Sequence, residues 1–313
     1  MTNRGLQVLP PKFKLDELAR HFLDEDVPSF DFGGYVVGTK LSQANIFFKS
    51  IGVVAGIPFA QAVFDLTGCS VTWFYEEGEW LSPDTAAKEK IVLGSVSGRA
   101  CDLLLAERTV LNIMSRASGV ATQSRKMKDI SDAHHWTGSV AGTRKVTPGF
   151  RLIEKYALIV GGAAPHRHDL SQMIMLKDNH ISITGSITNA VRKAKDAAGF
   201  SIKIEVECQN REEAVEAALA GADIVMLDNY SAERMAVDSA LLKDQFPHLL
   251  VEASGGITAA TIGSYMLPSV DIISQGCLTQ GNGGVLLLYF IVSLISCLCH
   301  CLSCFYQQLN IIF

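Results

Sequence analysis

The run Gly142-Thr143-Arg144-Lys145-Val146-Thr147-Pro148-Gly149 sets two adjacent cations before a Pro-Gly turn. A second run, Gly161 to Asp169, adds His166, Arg167 and His168, and a third, Met173 to His180, is an apolar stretch that ends in Lys177. Between positions 144 and 180, Arg144, Lys145, Arg151, Lys155, Arg167 and Lys177 outnumber Glu154, Asp169 and Asp178, although the chain as a whole carries a formal charge of −5. Cations concentrated in this way call for a small anionic ligand. The fork of an arginine pairs both oxygens of a planar carboxylate, whereas a lysine is a point charge suited to phosphate or pyrophosphate. Further along, Glu207 and Asp228 each close an apolar stretch. Glu205 shares a strand face with Glu207 by two-residue periodicity, and Glu207 lies nearer the strand end. Ser254-Gly255-Gly256 and Gly276 offer backbone amides that a phosphate can approach closely. Acids beside a glycine turn describe a pocket for a sugar phosphate.

The elements that must position these groups alternate regularly. The stretches 202–207, 223–228, 249–256 and 271–276 read as strands separated by helical segments. That order implies a parallel sheet, most simply a barrel. Barrel chemistry sits at the carboxyl ends of the strands, so Glu207, Asp228, Ser254-Gly255-Gly256 and Gly276 should line one mouth. If Val140-Ala141 closes a strand, Arg144 and Lys145 join them. Asn210 and Ser186 are placed to cap helices that end at Gly221 and Gly199. The first 117 residues read as mixed α and β, with a helix over 15–22, short strands at 35–37, 52–55 and 70–74, and a helix from about 102 to 118 packed through Leu103, Ala106, Val110 and Ile113. Arg108 and Arg116 fall off that apolar stripe and read as solvated, as does the acidic turn Glu76-Glu77-Gly78-Glu79. His166 and His168 lack a third ligand at metal-binding spacing, so hydrogen-bonding roles are expected for His168 and His180.

Bulk properties narrow the classes. The 313 residues are 48% hydrophobic, enough for a sizeable core, and the acidic balance argues against a nucleic-acid or anionic-membrane surface. No apolar signal region opens the sequence. Cys69, Cys101, Cys208 and Cys277 are scattered singly, which suits a reducing compartment such as the cytoplasm. Cys297, Cys299, Cys301 and Cys304 crowd a tail that has no charged side chain after Asp271. Three readings of that tail stand side by side: a buried core helix, a membrane anchor, or sequence that replaces the ordinary end of the protein.

Together these motifs resemble quinolinate phosphoribosyltransferases of the eukaryotic type. The resemblance runs from about residue 10 to Gln280. It is carried by Ala141-Gly142-Thr143-Arg144-Lys145, Thr147-Pro148-Gly149, Val160-Gly161-Gly162, His166-Arg167, Leu176-Lys177-Asp178-Asn179-His180, Glu205-Val206-Glu207, Leu227-Asp228-Asn229 and Glu252-Ala253-Ser254-Gly255-Gly256-Ile257. It implies an N-terminal α/β open sandwich over residues 1–117, an incomplete TIM-like α/β barrel over 118–280 and an atypical segment over 281–313. It also implies transfer of a phosphoribosyl group to quinolinate with decarboxylation, in a homo-oligomer whose site is shared between subunits. On that basis Arg144, His166 and Arg167, helped by Lys145 and Lys177, would hold the quinolinate carboxylates. Lys145 and Lys177 would also meet pyrophosphate. Glu207 and Asp228 would hold the ribose hydroxyls, with Mg2+ bound through the substrate rather than by direct protein ligands. Ser254, Gly255, Gly256 and Gly276 would take the 5-phosphate, and Arg108 would reach the neighbouring subunit's site. The family's last segment returns to pack on the N-terminal domain, and here Gly281-Asn282-Gly283-Gly284 and the charge-free run stand in its place. Other readings are a barrel lyase with Lys177 as Schiff base and an inactive or membrane-attached variant.

Overall fold

In the computed structural model, residues 8–84, 89–280, 285 and 287–292 are described. The strands are β1 Leu41–Phe48, β2 Gly52–Val53, β3 Ser70–Trp73, β4 Trp80–Leu81, β5 Ile91–Arg99, β6 Ser139–Ala141, β7 Ile174–Leu176, β8 Ile204–Cys208, β9 Ile224–Asp228, β10 Leu250–Ser254, β11 Ile272–Ser274 and β12 Leu287–Val292. The α-helices are α1 Lys12–Asp26, α2 Phe32–Val37, α3 Ile57–Leu66, α4 Ala100–Ala133, α5 Arg151–Val160, α6 Asp178–Thr184, α7 Ile187–Ala198, α8 Arg211–Ala220 and α9 Ala232–Gln245.

The expected barrel is present, with an opening in its wall. Strands pair in the order β6-β11-β10-β9-β8-β7, all parallel. A single parallel bridge from Ala141 to Ala164 extends the wall beyond β6. No backbone pairing joins that bridge to β7 among the described residues, so one seam stays open. The side chain of Arg167 spans it, donating to the Met173 carbonyl at 3.2 Å. Helices follow the strands as the capping residues dictate. The Asn210 side chain accepts from Glu213 N, Ser186 accepts from Asn189 N, and Gly221 ends α8 at φ +90°.

The N-terminal region is a four-stranded antiparallel sheet ordered β12-β1-β5-β3. Several expectations change here. Residues 35–37 are helical rather than extended, because Asp31 caps Gly34 N at 2.8 Å and Gly38, at φ +69°, ends α2 after six residues. Glu77 is buried rather than solvated, and its carboxylate accepts from Gly56 N at 2.7 Å and Ile57 N at 2.9 Å at the start of α3. Burial pushes its carboxyl up to about 7, against the pull of those two amides.

One helix joins the two regions. The helix expected to end near Ser118 runs on as α4 to Ala133, so position 117 falls inside it. Its hydroxyls reach across: Thr122 Oγ1 accepts from Val53 N at 2.9 Å and Ser118 Oγ from Ala55 N at 3.0 Å. At its far side the Gly161 backbone comes so close that a Cβ there would stand 2.3 Å from the Ala121 carbonyl.

The charge-free segment is neither helix nor anchor where it is described. Leu287–Val292 adds to the edge of β1 in antiparallel register, with Gln43 opposite Val292 and Phe48 opposite Leu287. Val285 and Ser115 are tied by two hydrogen bonds. The run that stands in place of the family's returning segment thus itself packs on the N-terminal region at these residues. Gly281–Gly284 and the cysteines from Cys297 onward lie outside the described residues. Among those described, no helix is long and apolar enough to cross a membrane.

Candidate active site

Each strand of the barrel delivers its side chains by simple alternation, and the last inward position reaches the mouth. On β8, Glu205 is fully buried and Glu207, its side chain 11% exposed, lies above it. Parallel register sets Glu207 beside Met226 and Asp228 beside Ser254. Lys177 follows β7 directly, and its ammonium pairs with the Glu207 carboxylate. Asp228 accepts from the amide of Asn229 at 2.6 Å. Glycine is required at the next turn. Gly255 lies at φ +100°, and a Cβ there would meet Asn229 Oδ1 at 2.3 Å. Gly256 follows at φ +63° with nothing within 4 Å of an added Cβ, which leaves room beside its backbone. Ser254 Oγ accepts from Ser274 Oγ at 3.1 Å.

The cations approach from the other side of the mouth. Gly142 lets β6 pass against Leu158 of α5, where a Cβ would stand 2.4 Å from a leucine methyl. Arg144 and Lys145 then emerge exposed, and neither pairs with an acid among the described residues. The stem of Lys145 lies over Gly276, 3.2 Å from where its Cβ would be. The Lys145 carbonyl accepts from Thr279 Oγ1 at 2.7 Å. Arg167 is half-buried, and both burial and the positive field of Arg144 lower its pKa from the usual value. The two guanidiniums therefore share one space. Arg108, by contrast, projects from α4 as an exposed side chain with no ion pair among the described residues.

His166 is placed differently from a free ligand-binding side chain. It sits at φ +57° and is 9% exposed, with both ring nitrogens engaged. Nδ1 accepts the Arg167 N–H at 2.8 Å, which leaves Nε2 to carry the proton toward Glu252 Oε2 at 3.1 Å. Glu205 Oε2 stands 3.8 Å from the same nitrogen. Burial first, then the neighbouring Glu252 carboxylate, push the Glu205 carboxyl up. His166, Glu205 and Glu252 lie close enough to enclose a cation. The ring proton on Nε2 works against that, because a metal would need the lone pair there. Glu207 and Asp228, acids at the strand ends, could stand beside Mg2+ that a substrate carries and that keeps its waters.

The residues that support this mouth were not apparent in the sequence. Arg116, expected to be solvated, donates through Nε to the buried Glu154 at 2.8 Å and through its terminal nitrogen to the Thr279 carbonyl. Glu154 also accepts from Thr147 N at 3.1 Å. Lys155 is buried as well, beneath the two cationic loops. No single motif marked these three; the legible signal was an acid and a base adjacent on an otherwise apolar helix.

Known proteins resemble this chain in sequence and in fold. The quinolinate phosphoribosyl transferase N-terminal domain matches residues 32–118 and the C-terminal domain matches residues 120–285. The nicotinate-nucleotide pyrophosphorylase (carboxylating) of Dictyostelium discoideum is 50% identical over 283 residues, covering 87% of this chain and 94% of its own length. The human protein of that name is 46% identical over 280 residues, covering 90% and 92% respectively. Among solved structures, the nicotinate-nucleotide pyrophosphorylase of Francisella tularensis superposes with a TM-score of 0.81 at 29% identity, over 91% of this chain and 98% of its own. With both domain descriptions matched in order and half the residues shared with a relative of nearly the same extent, the chain belongs to the quinolinate phosphoribosyltransferase family.

Proposed function

We propose that this chain transfers the phosphoribosyl group of phosphoribosyl pyrophosphate to the ring nitrogen of quinolinate and releases the 2-carboxylate as carbon dioxide, giving nicotinate mononucleotide and pyrophosphate. The observation that carries the reading is the meeting, at one mouth, of Arg144 and Lys145, which pair with no acid among the described residues, with the Lys177–Glu207 pair, Asp228 and the Gly255-Gly256 turn. Arg144 and Arg167 are the natural partners of the two carboxylates, and His166 fixes the backbone that carries Arg167. Lys145 and Lys177 suit the pyrophosphate. Ser254, Gly255, Gly256 and Gly276 suit the 5-phosphate, where Lys145 also lies.

The chemistry needs no nucleophile from the enzyme, because the pyridine nitrogen attacks the anomeric carbon as pyrophosphate departs. Glu207 and Asp228 place negative charge beside a sugar that becomes cationic on the way, so positioning and field do the catalysis. Mg2+, held near these two acids through the substrate, would neutralise the departing pyrophosphate. After transfer the ring nitrogen is positive and accepts the electron density left by the C2–carboxylate bond, and a proton takes the carboxylate's place. A Lys177 imine finds no support, since that ammonium pairs with Glu207 rather than sitting desolvated among cations.

A second copy fits this reading. Phe30, Phe32, Tyr35, Val36 and Leu41 are each at least 70% exposed around α2, more apolar surface than a monomer keeps without use. A homo-oligomer would cover it and could bring Arg108 to a neighbouring mouth. The thiols Cys69, Cys101 and Cys208 suit a reducing, cytoplasmic setting. Incubating the full chain with quinolinate, phosphoribosyl pyrophosphate and Mg2+ tests the reaction. Nicotinate mononucleotide should form with one carbon dioxide per turnover, and pyrophosphate release that does not depend on quinolinate would overturn it.

A further inference from the structure

Lys155 lies wholly inside the protein, on α5, behind the two loops that carry Arg144 and Arg167. An ammonium has three protons, and each of these meets a main-chain carbonyl. Thr143 O accepts at 2.9 Å, Arg167 O at 3.0 Å, and Pro165 O completes the set. Thr143 immediately precedes Arg144, and Arg167 is itself one of the acceptors. Just below, Ala164 is joined to the other segment by two main-chain hydrogen bonds, Gly142 N to Ala164 O at 2.9 Å and Ala164 N to Val140 O at 2.8 Å. Above that point the two segments diverge, and Lys155 is the side chain that ties them where they part.

We propose that Lys155 is a positioning residue for dicarboxylate recognition: by binding both loops it fixes the separation of the Arg144 and Arg167 guanidiniums to match two neighbouring carboxylates on one ring. This rests on the assignment of those arginines to quinolinate. Lys155 touches no substrate, since it is buried and every proton is engaged. Its neighbour on the helix performs a parallel task, with Glu154 holding Thr147 N on one side and Arg116 on the other.

The location is a costly one for a cation. Arg151 and Glu154 on α5, Arg144 on one loop, and Arg167 and His168 on the other all face it. Burial, then the fields of Arg151, Arg144 and Arg167, bring the ammonium down to about 8, and Glu154 offsets them only in part. A positive charge kept where hydrophobic packing would be easier points to a task for its three donors. Deprotonation removes one donor and the charge, so recognition of the dicarboxylate should weaken as pH rises through about 8.

The test uses the full chain with Lys155→Met, which keeps the bulk and removes the donors, and Lys155→Arg, which keeps charge and donors. Lys155→Met should raise the KM for quinolinate about 10-fold or more, while the KM for phosphoribosyl pyrophosphate stays within about threefold, as expected for loss of a group acting on one substrate's contacts. Quinolinate affinity measured by calorimetry without the second substrate should fall in parallel, with affinity for nicotinate, the monocarboxylate, little changed. Lys155→Arg should recover part of the loss and carry quinolinate turnover to higher pH. Equal shifts for both substrates, or none, would overturn the proposal. Should Lys155→Met fail to fold, the Lys155→Arg pH profile decides, and an unchanged fall above about pH 8 counts against it. A wild-type chain that binds quinolinate but forms no product would overturn the proposed reaction instead, leaving the affinity comparison intact.

Discussion

The N-terminal sheet and the barrel bury charge for different ends. In the N-terminal region the buried acid Glu77 faces two helix amides at the start of α3. In the barrel, Glu154, Lys155, Glu205 and Glu252 are all fully buried, and each lies directly under a loop or strand end of the mouth. Buried charge costs several kcal/mol per ion before compensation. The first region spends it once on a helix start, and the second concentrates it under the reacting groups. The comparison shows where a barrel of this kind departs from the usual interior of branched aliphatic side chains.

The largest expected effect tests whether the exposed cations are the reason for the buried ones. Arg144→Ala should cut kcat/KM for quinolinate about 1,000-fold, the loss of a bidentate carboxylate contact worth about 4 kcal/mol, with an unchanged melting temperature. An equal loss in phosphoribosyl pyrophosphate affinity would erase the distinction between loops. Next comes the acid of the other region. Because the folded-state pKa of Glu77 is raised, its contribution to stability is fully present below the unfolded value near 4.5 and is lost as pH rises through about 7. Glu77→Gln should therefore remove up to about 3 kcal/mol of pH dependence between pH 5 and pH 8 in denaturant titrations, leaving turnover in place. A glutamine variant with the wild-type slope would show that Glu77 does not titrate there.

Gly255→Ala should lower stability by about 1–3 kcal/mol, since alanine at φ +100° is strained and its methyl meets Asn229. Phosphoribosyl pyrophosphate affinity should fall with it. The smallest effect separates two acids that look alike. Burial and the neighbouring acid raise the Glu205 carboxyl, so Glu205→Gln should change kcat/KM by less than about threefold, whereas Glu252→Gln alters the acceptor of His166 and should cost about 10-fold. The reverse order would overturn this distinction.

Legibility followed the location of each residue. The strand ends at Lys177, Glu207, Asp228 and Ser254 could be read because a polar residue closes an apolar run, and the caps Ser186 and Asn210 because their signal is local. β1 and β5, the centre of the N-terminal sheet, were not among the expected strands, and Gly94 and Gly98 within β5 do not break it. They are instead required by close approach to Thr72 O and Cys69 Sγ, at 2.9 Å each. Residues 35–37 carry strand-forming side chains, and a cap at Asp31 overrides that propensity. Arg116 and Glu154 are distant in sequence, as are His166 and Glu252, and pairing across such distances is decided by the fold rather than by local pattern.

The antiparallel partnership of β1 with β12 has a bearing on how the protein is made. The pair joins Gln43 to Val292, about four fifths of the 313-residue chain apart. During synthesis at about 5–20 residues per second, the flank of Leu41–Phe48 waits on the order of 10–50 s for its companion to leave the ribosome. Through that interval an apolar strand flank is open to other nascent chains. In the barrel β7 to β11 follow different timing, and even its longest wait, that of β6 for β11, ends before β12 is made, so the region that matures last is the one translated first.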